Sequence, residues 1–116
     1  MEIWKMIPDR YYGEGVSTGY SISNLGRVRN DRTGKILKAF NDPKGALQVH
    51  LYVDKLRFCK KIHQLVAEEF VPNPEGKRYI LHKDMDRQNN VPSNLQWADM
   101  KEAIAFNKLR REVSYE

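Results

Sequence analysis

The chain has 116 residues, a net charge of +5 and a pI near 9.4, with 41% hydrophobic and 30% charged residues. That length carries one modest core rather than two independent ones, and no apolar run approaches the roughly 20 residues that cross a bilayer. The N-terminus MEIWKMIPDR lacks the basic head and apolar centre of a secretory signal, and a lone Cys59 excludes an internal disulfide or a cysteine-based zinc site.

These features predict a cytoplasmic domain with no membrane partner, in which Cys59 is a small, partly buried hydrophobe. The N-terminal half reads as β. Tyr20, Ser21, Ile22 and Ser23 alternate, Asn24, Leu25 and Gly26 have turn chemistry, and Arg27, Val28 and Arg29 alternate again. A second turn at residues 31–34 leads to a predicted strand at residues 35–38, and a third turn at residues 42–45 leads to another at residues 46–53. There Leu47, Val49, Leu51 and Val53 share one side, and Gln48, His50 and Tyr52 the other. Residues 56–62 pair with that strand as a hairpin through Asp54 and Lys55.

The period then changes. Ile62, Leu65, Val66, Glu69 and Phe70 fall on one helical stripe, which Pro72 and Pro74 end. Residues 78–82 return to strand, and residues 95–97 are the other arm of a hairpin. Asp99 and Glu102 have capping-box spacing for a last helix to about Arg111, with Met100, Ala103, Ile104 and Asn107 on one side and a frayed tail at residues 113–116. Trp4 and Trp97, both in apolar stretches, read as core anchors. Basic residues cluster at Arg27, Arg29 and Arg32, at Lys55, Arg57, Lys60 and Lys61, and at Lys108, Arg110 and Arg111. Three such groups on separate elements can follow a phosphate backbone or can be ordinary solvated faces.

Residues 81–97 read LHKDMDRQNNVPSNLQW. With EIWKMIP, YSISNLGRVRN, GKILK and IHQLVAEEFVPNP in that order, nearly the whole chain resembles the phage HNH homing endonucleases. The resemblance implies an α+β fold in one domain, residues 1–116: a small antiparallel β-module (residues 1–61), then a His-Me finger, ββα-metal core (residues 62–112). Residues 10–18 are longer and looser than the usual turn of that family. The larger homing enzymes also carry C-terminal DNA-reading segments that this sequence does not contain.

Residue by residue, the resemblance makes His82 the general base and Asn94 the amide that braces the loop and orients that base. Asn89 and Asn90 shape the loop, and His63 is structural. Duplex DNA is the implied partner, met by Arg27, Arg29, Lys60, Lys61, Arg110 and Arg111. A divalent cation such as Mg²⁺ is the implied cofactor, yet its two usual ligand positions hold Leu81 and Ala103, which donate no lone pair. Asp84, Asp86 and Asn107 are the candidates for a displaced site, and Asp99 reads as a helix cap. Three readings follow: a phage-encoded HNH-like DNA-binding protein with a degenerate metal site, an active metal-dependent endonuclease or nickase with a displaced metal, or a scaffold serving as inhibitor or adaptor of a protein partner.

Overall fold

The computed structural model describes residues 1–9 and 15–114, with side chains described as far as Leu109. Two three-stranded antiparallel sheets come first. β1 (Trp4–Pro8), β2 (Ser17–Ser23) and β3 (Val28–Asn30) form one, in that order; β4 (Phe40–Asn41), β5 (Leu47–Val53) and β6 (Leu56–Lys61) form the other. Helix α1 (Ile62–Phe70) follows β6 directly, and the hairpin β7 (Tyr79–His82) and β8 (Leu95–Ala98) precedes helix α2 (Met100–Ser114). This is the α+β arrangement expected.

The core lies where these layers meet. Tyr20, Ile22 and Val28 of the first sheet, Val49 and Leu51 of the second, Ile62, Leu65, Val66 and Ala67 of α1, and Leu95 of β8 are buried together. Each large aliphatic side chain fully withdrawn from water stabilises the fold by about 1.5–3 kcal/mol, so α1 ties the sheets to the hairpin. The alternation of β5 is the one read from its sequence: Val49 and Leu51 are buried while Tyr52 is exposed. Asp54 (φ 51°) and Lys55 (φ 67°) supply the two left-handed residues of a tight hairpin turn into β6. At the start of α2 the capping box forms, Glu102 N–H donating to Asp99 Oδ1 at 2.8 Å and Asp99 N–H to Glu102 Oε1 at 3.1 Å.

Several expectations are corrected. β1 and β4 were not foreseen, and β2 begins at Ser17, three residues ahead of the alternation. The strand expected at residues 35–38 is a single bridge from Ile36 to Arg29, held by Asn30 N–H donating to Lys35 O at 2.9 Å and Leu37 N–H to Val28 O at 2.8 Å. Cys59 is exposed on β6, its thiol donating to Gln48 Oε1 at 2.9 Å. Trp4 is a surface platform instead of a core anchor, with the Arg29 guanidinium 4.3 Å and that of Arg27 5.7 Å from its ring. Trp97 does pack on the core, donating its indole N–H to Val71 O at 3.0 Å. Of the stripe expected on α2 only Ala103 is buried, while Met100 and Ile104 are each 60% exposed. Val113 and Ser114 are helical, and the rest of the expected frayed tail lies outside the described residues, as does most of the loose turn, residues 10–14.

Candidate active site

The loop between β7 and β8 is built from side-chain amides and one carboxylate. Asn94, buried in the 3-10 turn Pro92–Asn94, donates from Nδ2 to Asp84 Oδ1 at 2.9 Å and to Asn89 O at 2.8 Å. Its own Oδ1 accepts the Asp84 N–H at 3.1 Å, and its carbonyl accepts the Lys83 N–H at 2.8 Å. Asp84 Oδ2 accepts from Asn89 Nδ2 at 2.8 Å, and its Oδ1 also accepts the Asp86 N–H at 2.8 Å. The Asn89 amide first, then the Asp86 N–H, holds the Asp84 carboxyl below its ordinary pKa. Met85, at φ 66°, completes the turn out of β7 by donating its N–H to His82 O at 2.9 Å.

His82, at the end of β7, is 7% exposed. Its Nε2 lies 2.7 Å from Asn90 Oδ1, an acceptor, so Nε2 carries the hydrogen and the neutral ring keeps its lone pair on Nδ1. The sequence assigned the orienting of this imidazole to Asn94; the hydrogen bond comes from Asn90, while Asn94 is spent on the loop. Against His82 stands His63 of α1, ring centroids 5.1 Å apart and nearly perpendicular. Burial first, then the neighbouring His82 and Lys61, pushes the His63 pKa down to about 4, so its ring is neutral near pH 7. Sequence reasoning gave His63 a structural place and missed this pairing, which only the packing of α1 on the hairpin creates. His63 Nδ1 and Asn90 Nδ2 are buried without a hydrogen-bond partner, and both belong to this cluster.

The other side of β7 is different. Leu81 and Ala103 line one cavity of about 330 Å³ together with His63, Gln64, Trp97 and Asn107. A hard divalent cation needs oxygen donors, and the two residues at the expected ligand positions are aliphatic. Of the displaced-site candidates only Asn107 reaches this cavity. Both Asp84 oxygens are occupied by the loop, and Asp86 Oδ1 accepts the Gln88 N–H at 2.9 Å. Among the described residues no three His, Cys, Asp or Glu side chains converge on a metal position. The residues present do not fit the cation.

The basic residues named from the sequence do not share one face. Arg27 pairs with Glu2 through both Nε and Nη2, and Arg29 with Asp31 at 3.3 Å. The Arg27 guanidinium holds the Glu2 carboxyl down to about 2. Lys61 pairs with Asp42 at 3.3 Å. Lys60 alternates to the opposite side of β6, where it lines a groove of about 590 Å³ with Leu56, Phe58, Glu68 and Glu69. The side chains of Arg110 and Arg111 lie outside the described residues.

Residues 2–52 match the NUMOD4 motif and residues 60–103 the HNH endonuclease family, so the β-module and the ββα element carry separate matches. A solved structure of the HNH homing endonuclease I-HmuI, a protein that binds and cleaves DNA, superposes with a TM-score of 0.77 at 30% identity, over 95% of this chain and 59% of that one. The chain belongs to the HNH homing endonuclease family. The DNA endonuclease I-HmuI of Bacillus phage SP01 is 31% identical over 88 residues, which are 76% of this chain and 51% of the phage protein. An uncharacterized HNH endonuclease of Acanthamoeba polyphaga mimivirus is 39% identical over 82 residues, 71% of this chain and 24% of the viral protein. This HNH chain therefore spans about half, or less, of the length of these curated relatives. No helix among its described residues is long and apolar enough to cross a membrane.

Proposed function

We propose that this chain is an HNH endonuclease-like protein of phage type that binds duplex DNA in the cytoplasm of a bacterial host. Its metal site has degenerated, so that cleavage or nicking is lost. The contrast at the end of β7 carries this reading: His82 is held by Asn90 with Nδ1 free for a proton, while Leu81 and Ala103 leave the cation without its donors. In this reading His82 is the general base and Asn90 sets its tautomer. Asn94, Asn89 and Asp84 keep the loop in shape. A base without a cation has nothing to stabilise charge on the leaving oxygen of a phosphodiester.

DNA is met by phosphate contacts from Arg27, Arg29 and Lys61, whose carboxylate partners Glu2, Asp31 and Asp42 are exchanged for phosphates on binding. The β-module and the HNH core act as one domain, because the loop after His82 docks on the β-module: Arg87 Nη1 donates to Lys44 O at 2.6 Å and Gln88 Nε2 to Asn41 Oδ1 at 2.9 Å. Purified protein incubated with supercoiled plasmid and Mg²⁺ or Mn²⁺, and in parallel with labelled duplex in a gel, tests the proposal. The expected outcome is a retarded duplex and no nicked circle. Nicking that disappears in His82→Ala would replace this reading with that of a nickase using a displaced site, for which Asn107 on the Leu81–Ala103 cavity is the supporting observation.

A further inference from the structure

The cavity on the Leu81 side of β7 is polar as well as aliphatic. At about 330 Å³ it has room for a tetrahedral oxyanion and several waters. Three parts of the fold bring polar side chains to it: α1 supplies Gln64, the residue just before β7 is Arg78, and α2 supplies Asn107. His63 joins them from α1, with its Nδ1 buried and unpartnered. Leu81, Ala103 and Trp97 stand among the walls, and no carboxylate does.

The chemistry is that of a donor set. Arg78 carries five N–H donors and a permanent positive charge, and the amides of Gln64 and Asn107 carry two donors each. Among the described residues none of these three side chains has a hydrogen bond, and Arg78 has no ion pair. Arg27, Arg29 and Lys61, by contrast, each hold a carboxylate. Glu102, which precedes Ala103 on α2, is taken up by Lys77 at 2.8 Å and by the Asp99 N–H. A cation entering this cavity would meet the Arg78 charge and no anionic ligand. An anion would meet an unspent guanidinium.

We propose that this cavity is a metal-free phosphate site, in which Arg78 and the amides of Gln64 and Asn107 bind a phosphate group directly. The ligand is a phosphate of the DNA backbone, an assignment that rests on the proposed binding of duplex DNA; a free phosphate ion offers the same oxygens. A guanidinium can pair with two phosphate oxygens at once through parallel N–H bonds, which gives orientation as well as attraction. The aliphatic residues at positions 81 and 103 then change what the site holds, from a cation that carries a phosphate to the phosphate itself.

Two titrations of the full chain in EDTA test this. In the first, inorganic phosphate is added at constant ionic strength, and ¹⁵N NMR follows the Trp97 indole N–H and the Gln64 and Asn107 amides. Saturable shifts confined to the cavity are expected in the millimolar range. Arg78→Ala, at an exposed position, should weaken binding about tenfold or more, the usual contribution of a charge-assisted pair. Gln64→Glu, also exposed and nearly isosteric, should abolish it by placing a carboxylate on the cavity. In the second titration duplex DNA replaces phosphate. The same signals should move, and Arg78→Ala should lower the slope of log K against log salt by about one.

Absence of cavity shifts with phosphate and duplex alike, or shifts that appear only when Mg²⁺ replaces EDTA, overturns the proposal. So does a lower slope without cavity shifts, because Arg78 would then meet DNA outside the cavity. Cavity shifts with phosphate and an unchanged slope would uphold the site and make free phosphate its ligand. Failure of the unmodified protein to retain duplex removes the DNA reading alone, and the phosphate titration still decides the site.

Discussion

Leu81 and His82 are neighbours on β7 and belong to regions with opposite character. On the His82 side the loop amides and Asp84 form one network: Asn94 bonds to Asp84 and Asn89, Asp84 to Asn89 and Asp86, and Asn90 to the imidazole. On the Leu81 side the cavity walls are Leu81, Ala103 and Trp97, with the amides of Gln64 and Asn107, the guanidinium of Arg78 and the ring of His63, and no carboxylate. The difference teaches what each set of residues does for folding. The loop amides satisfy buried backbone groups, so removing them leaves donors and acceptors orphaned. A cation ligand does no such work in the absence of the cation. A chain can lose its metal donors with no penalty to the fold and still display most of an HNH motif, so the motif by itself is evidence of architecture before it is evidence of cleavage.

The largest test restores the poorer region. Leu81→Asp with Ala103→Asn should turn a protein with no detectable Mg²⁺-dependent nicking into one that nicks plasmid. Adding His82→Ala to that background should reduce the rate by a factor of about 10² or more, the usual contribution of a general base. Nicking by the unmodified protein that the double substitution leaves unchanged would break the comparison at its metal side.

The next test damages the richer region. Asn94→Ala removes two donated and one accepted hydrogen bond and strands the Asp84 N–H and the Asn89 carbonyl. Urea unfolding should report a loss of about 2–4 kcal/mol. Leu81→Ala, on a half-buried residue, should lose about 1 kcal/mol. Equal losses would mean the loop network contributes nothing special to the fold.

How far this contrast was legible in the sequence follows from the range of each interaction. His82, Asn94 and the two aliphatic positions were read directly, because a motif fixes residue type at fixed spacing. β5, the Asp54 and Lys55 turn, α1 and the capping box were read from local periodicity and local hydrogen bonds. β1 was missed because its burial depends on pairing with β2, and only Ile7 of its residues is buried. The placing of Asn90, not Asn94, on the imidazole depends on how the loop closes, and so does the perpendicular contact of His63 with His82. Lys60 and Lys61 read as one basic group, though strand alternation sends them to opposite faces.

The two histidines give a test by pH. A group whose folded pKa lies below its unfolded value binds its proton first in the unfolded chain, so stability is full above the unfolded pKa and is lost as pH falls. For His63 that window runs from about 6.5 down to about 4. The slope should approach about 1.4 kcal/mol per pH unit at its steepest, reduced for the part of the ring in water. The ring faces His82, Lys61, Asp42 and Arg87, so other groups titrate nearby. The measurement is therefore a difference: thermal unfolding between pH 7 and 4.5 should be flatter in His63→Phe than in the unmodified protein. Parallel curves would show that the ring is solvated and would remove it from the ordered side of the site.

The smallest expected effect concerns the arginines that approach DNA. Arg27 is exposed and already paired with Glu2, which stays ionised down to about 2, so no working buffer releases it by acid. Glu2→Gln should release it, raising affinity for duplex DNA at low salt by a few-fold at most, since water and salt screen such pairs. Arg27→Ala should weaken binding equally across sequences and reduce the slope of log K against log salt by about one. Lys60→Ala should leave that slope unchanged, because Lys60 lines the groove with Glu68 and Glu69 on the face of β6 opposite Lys61. A Lys60→Ala slope that falls as far as that of Arg27→Ala would place DNA on the groove side of the sheet. The Arg27, Arg29 and Lys61 surface would then give way to the one that carries Leu56 and Phe58.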